Sequence, residues 1–168
     1  MDVKNIVLVG FMGTGKSSVG KILSKKLQRP LIDVDEHIEE MEKRKICDIF
    51  EKEGEAHFRS LEKDAIRWAA EKEAAVIITG GGAVLDPENV EALKTKGILV
   101  ALLATHETIF KRVRNSKHRP LLGGKDMFSE IKRLMEVRAP YYDKADYKFQ
   151  TDGLSSAQVA EKIMGALR

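Results

Sequence analysis

Gly10-Phe-Met-Gly-Thr-Gly-Lys16-Ser17 carries glycines, a lysine and a hydroxyl at the spacing G-x-x-x-x-G-K-[ST]. Glycines let the backbone fold tightly, so that successive N–H groups point inward at phosphate oxygens, aided by the positive end of a following helix. Gly13, Thr14, Gly15, Lys16, Ser17 and Ser18 are the expected ATP-binding set, with Lys16 reaching the β and γ phosphates and Ser17 offering its hydroxyl to Mg²⁺. A glycine turn without a ligand carries little weight, because spacing, residue types and flanking elements agree. The loop alone leaves a kinase, a GTPase switch and an ATP-driven remodeller open. A Ras-type GTPase would add N-K-x-D and D-x-x-G, and neither stands in a productive place. A motor would be longer and end a strand on an acid, whereas Ile77-Ile78-Thr79 runs into Gly80-Gly-Gly82. A kinase for a small metabolite is the reading that remains.

Such a kinase needs a second site. Asp33-Val-Asp35 is expected to place two carboxylates on one side of an extended segment, both facing the cleft. One would hold Mg²⁺ through water, and the other would orient or deprotonate an attacking hydroxyl. Capping of the next helix explains the same dipeptide spacing, and both readings stay open. Gly80-Gly81-Gly82 suits close approach of backbone amides to a ligand or a tight strand-to-helix turn, and three in a row favour the ligand. Arg59 and Arg138 are candidates to grip a carboxylate by paired hydrogen bonds, although each taken alone reads as a surface arginine. Arg119, within His118-Arg-Pro-Leu-Leu-Gly-Gly124, is a candidate to neutralise charge on the transferring phosphoryl group, or else serves solubility. Arg112 and Arg114 precede it at helix spacing, and one of them is expected to stack on adenine. Cys47 reads as filler.

These groups need a frame. Asn5-Ile-Val-Leu-Val-Gly10 is short, apolar and rich in β-branched residues, hence a buried strand. Val19, Ile22, Leu23 and Leu27 then recur at threes and fours, which predicts a helix with one buried face. Further strands are expected over 31–33, 75–79 and 98–103, with a weaker fifth over 147–151. Helices are expected over 38–45, 55–71, 87–94, 105–114, 127–139 and 156–167, with Asp86 capping the third and Pro87 in its first turn. Buried parallel strands alternating with helices imply a three-layer α/β sandwich with ligands at the carboxyl ends of the strands. Segment 115–125, basic and without periodicity, is the expected lid.

The 168 residues fit one domain, and 43% hydrophobic with 33% charged residues suits a globular chain. A net charge of +3, from 29 basic and 26 acidic residues, gives weak support to a nucleic-acid coat; a mixed solvated surface or an anionic small substrate explains it equally. Cys47, the single cysteine, excludes an internal disulfide and a cysteine metal cluster. With no Arg-rich presequence and no apolar run near the roughly 20 residues that span a bilayer, the expected location is the cytoplasm.

Together the pieces resemble shikimate kinase over nearly the whole chain. The residues that carry the resemblance are Gly10 to Ser17, Asp33-Val-Asp35, Phe50 with Gly54-Glu55, Phe58-Arg59-Ser-Leu-Glu62, Gly80-Gly-Gly82, Arg119-Pro-Leu-Leu122 and Arg138-Ala-Pro-Tyr-Tyr142. The resemblance implies transfer of the γ-phosphoryl of ATP to the 3-hydroxyl of shikimate, with Mg²⁺, in aromatic amino-acid biosynthesis. It implies catalytic roles for Lys16, Asp35 and Arg119, with Asp35 holding the attacking hydroxyl. Arg59, Arg138 and the backbone of Gly81 and Gly82 would hold the acid; Ser17, and Asp33 through water, would serve the metal. The implied fold is that of the nucleoside monophosphate kinases, a five-stranded parallel sheet with a lid at about 115–125 and a substrate-binding segment at about 35–62. A monomer that binds neither nucleic acid nor membrane is expected. Gluconate and nucleoside monophosphate kinases share the loop and lid, although the latter need more arginines for a second phosphate; a module that binds ATP without turnover is the rival of another class. Segment 151–156 departs from many relatives in having no basic residue to face adenine.

Overall fold

A computed structural model of the chain describes residues 4–116 and 126–168. Arg119 and nearly all of the expected lid lie outside the described residues. Five parallel strands, β1 (Asn5–Gly10), β2 (Leu31–Asp33), β3 (Val76–Ile78), β4 (Gly97–Leu103) and β5 (Tyr147–Gln150), pair in the order β2-β3-β1-β4-β5. The helices are α1 (Lys16–Leu27), α2 (Val34–Glu42), α3 (Ile46–Ala70), α4 (Pro87–Lys96), α5 (His106–Val113), α6 (Met127–Tyr142) and α7 (Ser156–Ala166).

Strand side chains alternate between faces, and here both faces are covered. Val7, Val9, Ile77, Leu99 and Ala101 pack on one side with Ile66 of α3, Leu93 of α4, Ile109 of α5 and Ile131 of α6. Ile6, Leu8, Val76, Ile78, Val100 and Leu102 pack on the other with Val19 and Leu23 of α1 and Val159 and Ile163 of α7. Each fully buried Leu or Ile contributes about 1.5–3 kcal/mol before the entropy of ordering it. Burial on two sides is why the central strands read as unbroken apolar runs rather than as alternating ones.

Two helix starts differ from expectation. Helix α2 begins at Val34, not near 38, because the Asp33 side chain caps it. Helix α3 begins at Ile46, not at 55, and Gly54 (φ 84°) puts a kink where the helical pattern breaks. Asp86 caps α4 as expected, accepting from the Glu88 N–H at 2.9 Å.

The chain runs from β1 outward to β2, returns to β3, then crosses to β4 on the far side of β1. A crevice opens at such a reversal, above the carboxyl ends of the strands. The segments after β1, β2 and β3, carrying Phe11–Gly15, Asp33–Asp35 and Thr79–Gly82, all leave at that end.

Candidate active site

The phosphate loop closes on itself through Thr14, whose hydroxyl donates to the Phe11 carbonyl at 2.8 Å. Gly15, at φ 96°, turns the chain into α1 without a side-chain cap, a conformation that a side chain would strain. The first helical bond runs from the Val19 N–H to Gly15 O (2.9 Å), so the Ser17 and Ser18 amides stand at the helix N-terminus where an anion is favoured. The Lys16 ammonium is buried and donates to the carbonyls of Gly10 (2.7 Å) and Phe11 (3.0 Å).

Lys16, Ser17, Asp33, Asp35, Arg59, Gly81, Gly82 and Arg138 are brought together around one cleft of about 780 Å³. A smaller cavity of about 300 Å³ adjoins the other side of the loop, lined by Gly13, Thr14, Ser18, Arg112, Thr151 and Ser155 among others. Arg112 donates to the Gly13 carbonyl at 2.9 Å and to the Thr151 hydroxyl at 3.4 Å, which ties the loop to the end of β5. Arg114 is exposed and lines neither cavity. In segment 151–156, Thr151, Leu154, Ser155 and Ser156 line the smaller cavity.

The two aspartates do not share an extended segment. Asp33 ends β2 and its Oδ1 accepts from the N–H of Asp35 (3.0 Å) and of Glu36 (3.3 Å), so Asp35 sits in the first turn of α2. Both still line the cleft, because a helix that starts at a strand end keeps its first turn over the crevice. Asp33 is thus both cap and cleft residue, and the two readings of the dipeptide coexist.

Glycines 80–82 let four charged side chains crowd the backbone. A Cβ at Gly80 would stand 3.0 Å from Glu62 Oε2 and 3.1 Å from Asp35 Oδ1; one at Gly81 would stand 3.3 Å from Arg138 Nη1. One at Gly82 would lie 2.7 Å from Arg59 Cζ, inside the guanidinium's van der Waals envelope. Arg59 projects from α3 and donates to Glu62 Oε1 at 2.7 Å and to Glu55 Oε1 at 3.2 Å. Arg138, from α6, is only 3% exposed; its guanidinium lies 5.5 Å from the Phe11 ring centre, and no carboxylate among the described residues pairs with it.

Burial, then the neighbouring carboxylates of Glu62 and Asp33, push the Asp35 pKa up to about 7 against the pull of Lys16 and Arg59. Burial also raises Glu62, opposed by Arg59 and Arg138. Asp35 Oδ1 and Glu62 Oε2, the two oxygens nearest Gly80, are buried without a hydrogen-bond partner among the described residues. The cleft therefore offers a cation for a buried anion, an acceptor for a hydroxyl and amides for phosphate. The donors suit a hard metal: among the described residues no group of three or more His, Cys, Asp or Glu could cage one, whereas Ser17 and Asp33 flank the phosphate loop. That pattern fits an ion bound mostly by phosphate and water.

Glu62 and Tyr142 stand in motifs that carry the resemblance but have no site role assigned from the sequence, and Cys47 reads there as filler. Glu62 is 1% exposed and follows Arg59 by three residues, a spacing that pairs side chains on a helix. Cys47 is half-buried in the cleft wall beside Asp48; nothing in the sequence near it marks that position.

A family model described as shikimate kinase matches residues 12–168. A shikimate kinase of Thermodesulfovibrio yellowstonii is 46% identical over 162 residues, covering 96% of this chain and 94% of the relative. Among solved structures, a shikimate kinase from Acinetobacter baumannii in complex with shikimate superposes with a TM-score of 0.95 at 37% identity, covering 98% of this chain and 93% of that one. The shikimate kinase of Aquifex aeolicus gives 0.85 at 40% identity, with 97% and 95% covered.

Proposed function

The chain belongs to the shikimate kinase family, ATP-dependent enzymes that phosphorylate shikimate, and on that premise we propose how its cleft carries the γ-phosphoryl group to the 3-hydroxyl. The observation that carries this reading is Arg138: a guanidinium 3% exposed, beside an open cleft, with no carboxylate partner among the described residues. A buried unpaired charge is costly, so the site is built for an anion to arrive. Shikimate supplies a carboxylate there, which Arg138, Arg59 and the Gly81–Gly82 backbone hold. Its 3-hydroxyl then faces Asp35, whose Oδ1 is buried and without a partner.

In the transfer, the 3-hydroxyl oxygen forms the new bond to the γ phosphorus, the bond to the β–γ bridging oxygen breaks, and ADP leaves. The hydroxyl proton passes to Asp35, held near pH 7 by its surroundings and so basic enough to receive it. Lys16 exchanges the loop carbonyls for phosphate oxygens, and the Ser17 and Ser18 amides hold the same group. Ser17, with Asp33 through water, would hold Mg²⁺, which when bound neutralises phosphate charge. Arg119 is assigned the developing charge on the transferring group by its place in the family motif. ATP lies along the loop, with its base toward the cavity of Arg112, Thr151 and Ser155. We place the reaction in the cytoplasm and take the active unit as a monomer; among the described residues no helix is long and apolar enough to cross a membrane.

ADP release from ATP with Mg²⁺, compared across shikimate, gluconate, AMP and no acceptor, tests the assignment. Release that depends on shikimate alone is expected. Turnover with gluconate or AMP and none with shikimate would keep the kinase and remove the acceptor.

A further inference from the structure

Tyr142 is 5% exposed, closes α6, and stands four residues after Arg138, hence on the same helix face. Its hydroxyl donates to the Gly81 carbonyl at 2.5 Å, across 61 residues of chain. Arg138 stands beside the same phenol, close enough for its charge to pull the phenol's pKa down. One hydroxyl therefore joins two of the groups assigned to the acid of the substrate. No cis peptide occurs among the described residues, and in a trans peptide the carbonyl of one residue points opposite to the N–H of the next. A Gly81 carbonyl fixed on Tyr142 thus turns the Gly82 N–H the other way. Among the described residues that N–H donates to no protein acceptor, and both glycines line the cleft. The turn closed by the Ala83 N–H on the Gly80 carbonyl (3.2 Å) constrains this peptide plane from within the strap, and Tyr142 anchors it from outside.

We propose that Tyr142 is a positioning residue for substrate, tying Arg138 to the glycine strap so that guanidinium and Gly82 amide converge on one carboxylate. The inference rests on the shikimate reading of the cleft. Burial of the phenol, only partly opposed by Arg138, pushes its pKa up to about 12, so the hydroxyl stays protonated as the donor this role requires. Tyr142 touches no reacting atom, and its loss is felt in binding the acid rather than in phosphoryl transfer.

Tyr142→Phe removes the one hydroxyl and keeps the ring. In the full chain, KM for shikimate is expected to rise about tenfold, the worth of one charge-assisted hydrogen bond, with kcat and KM for ATP changed less than about twofold. Shikimate methyl ester supplies the discriminating readout: the penalty for esterification should shrink in the variant by about the same tenfold factor. Tyr141→Phe, which changes a partly buried neighbour outside the cleft, should leave all constants alone. An unchanged KM for shikimate, an unchanged ester penalty, or equal rises in KM for shikimate and ATP would each overturn the proposal. Should Tyr142→Phe not fold, wild-type protein labelled at tyrosine Cζ decides: a Tyr142 resonance that shifts with shikimate but not with its ester supports the role, and one indifferent to shikimate refutes it. Wild-type enzyme without shikimate turnover would sink the reading of the cleft; normal wild-type turnover beside an unaltered Tyr142→Phe would sink only this inference.

Discussion

Replacing Arg138 with methionine should make the protein more stable and nearly useless for its substrate. The side chain is 3% exposed, and its offsets in the unliganded cleft are the Phe11 ring at 5.5 Å, the Tyr142 hydroxyl and the field of Glu62. Taking a guanidinium out of water costs several kcal/mol, and a ring at that distance returns about 0.5–2 kcal/mol. Methionine fills a similar unbranched path without charge, so Arg138→Met should gain about 1–3 kcal/mol, a rise of about 2–12 °C in Tm for a chain of this size. Substrate loses a buried, charge-assisted hold worth about 2–5 kcal/mol, which lowers kcat/KM for shikimate by a factor on the order of 10²–10³. Melting curves with and without shikimate read both effects: ligand at a hundred times its Kd adds about 2.7 kcal/mol to the wild type and should add nothing to the variant. A Tm that falls while KM for shikimate stays ordinary would show that Arg138 belongs to the core and that no anion is awaited there.

Asp35 gives a pH dependence with a definite sign. Its pKa rises from 3.8 unfolded to about 7 folded, so between those values the folded chain keeps a proton that the unfolded chain has lost, and stability falls as pH rises. At about 1.36 kcal/mol per unit, discounted for partial exposure, the loss is on the order of 2–4 kcal/mol and levels off above the folded pKa. Urea unfolding at several pH values, without nucleotide or metal, should show that slope in the wild type and a shallower one in Asp35→Asn, where the raised Glu62 and Asp33 keep their share; parallel curves would refute it. Gly82→Ala should fold normally, since its backbone (φ −96°, ψ 2°) suits alanine, but the new Cβ displaces Arg59. KM for shikimate should then rise about tenfold with KM for ATP unmoved, the cost of one charged contact, and equal changes in both would contradict the placement of Arg59.

What was legible in the sequence was what local pattern controls. The loop from Gly10 to Ser17 needs nothing beyond its own residues, and Val7 to Val9 or Ile77 to Ile78 are apolar because both sheet faces are covered. Asp33 and Asp35 were found, and of the two readings left open the cap at Asp33 holds, with a helical turn in place of strand alternation. The front of α3 was hidden because Gly54 breaks the pattern at the kink. Arg59 and Arg138 read singly as surface residues; only the packing of α3 and α6 against the glycine strap shows Arg138 buried and Arg59 half-buried at one cleft. Tyr142 stands in a motif of the resemblance, but its role was unreadable for the same reason, since its partner Gly81 is brought near by tertiary structure alone.

The most direct test is the initial rate of ADP release with saturating ATP, Mg²⁺ and shikimate, for wild type and Asp35→Asn. Phosphoryl transfer governed by Asp35 predicts shikimate-dependent release in the wild type and loss of that release in the variant, with nucleotide binding intact. Equal shikimate-dependent rates in both proteins would contradict it.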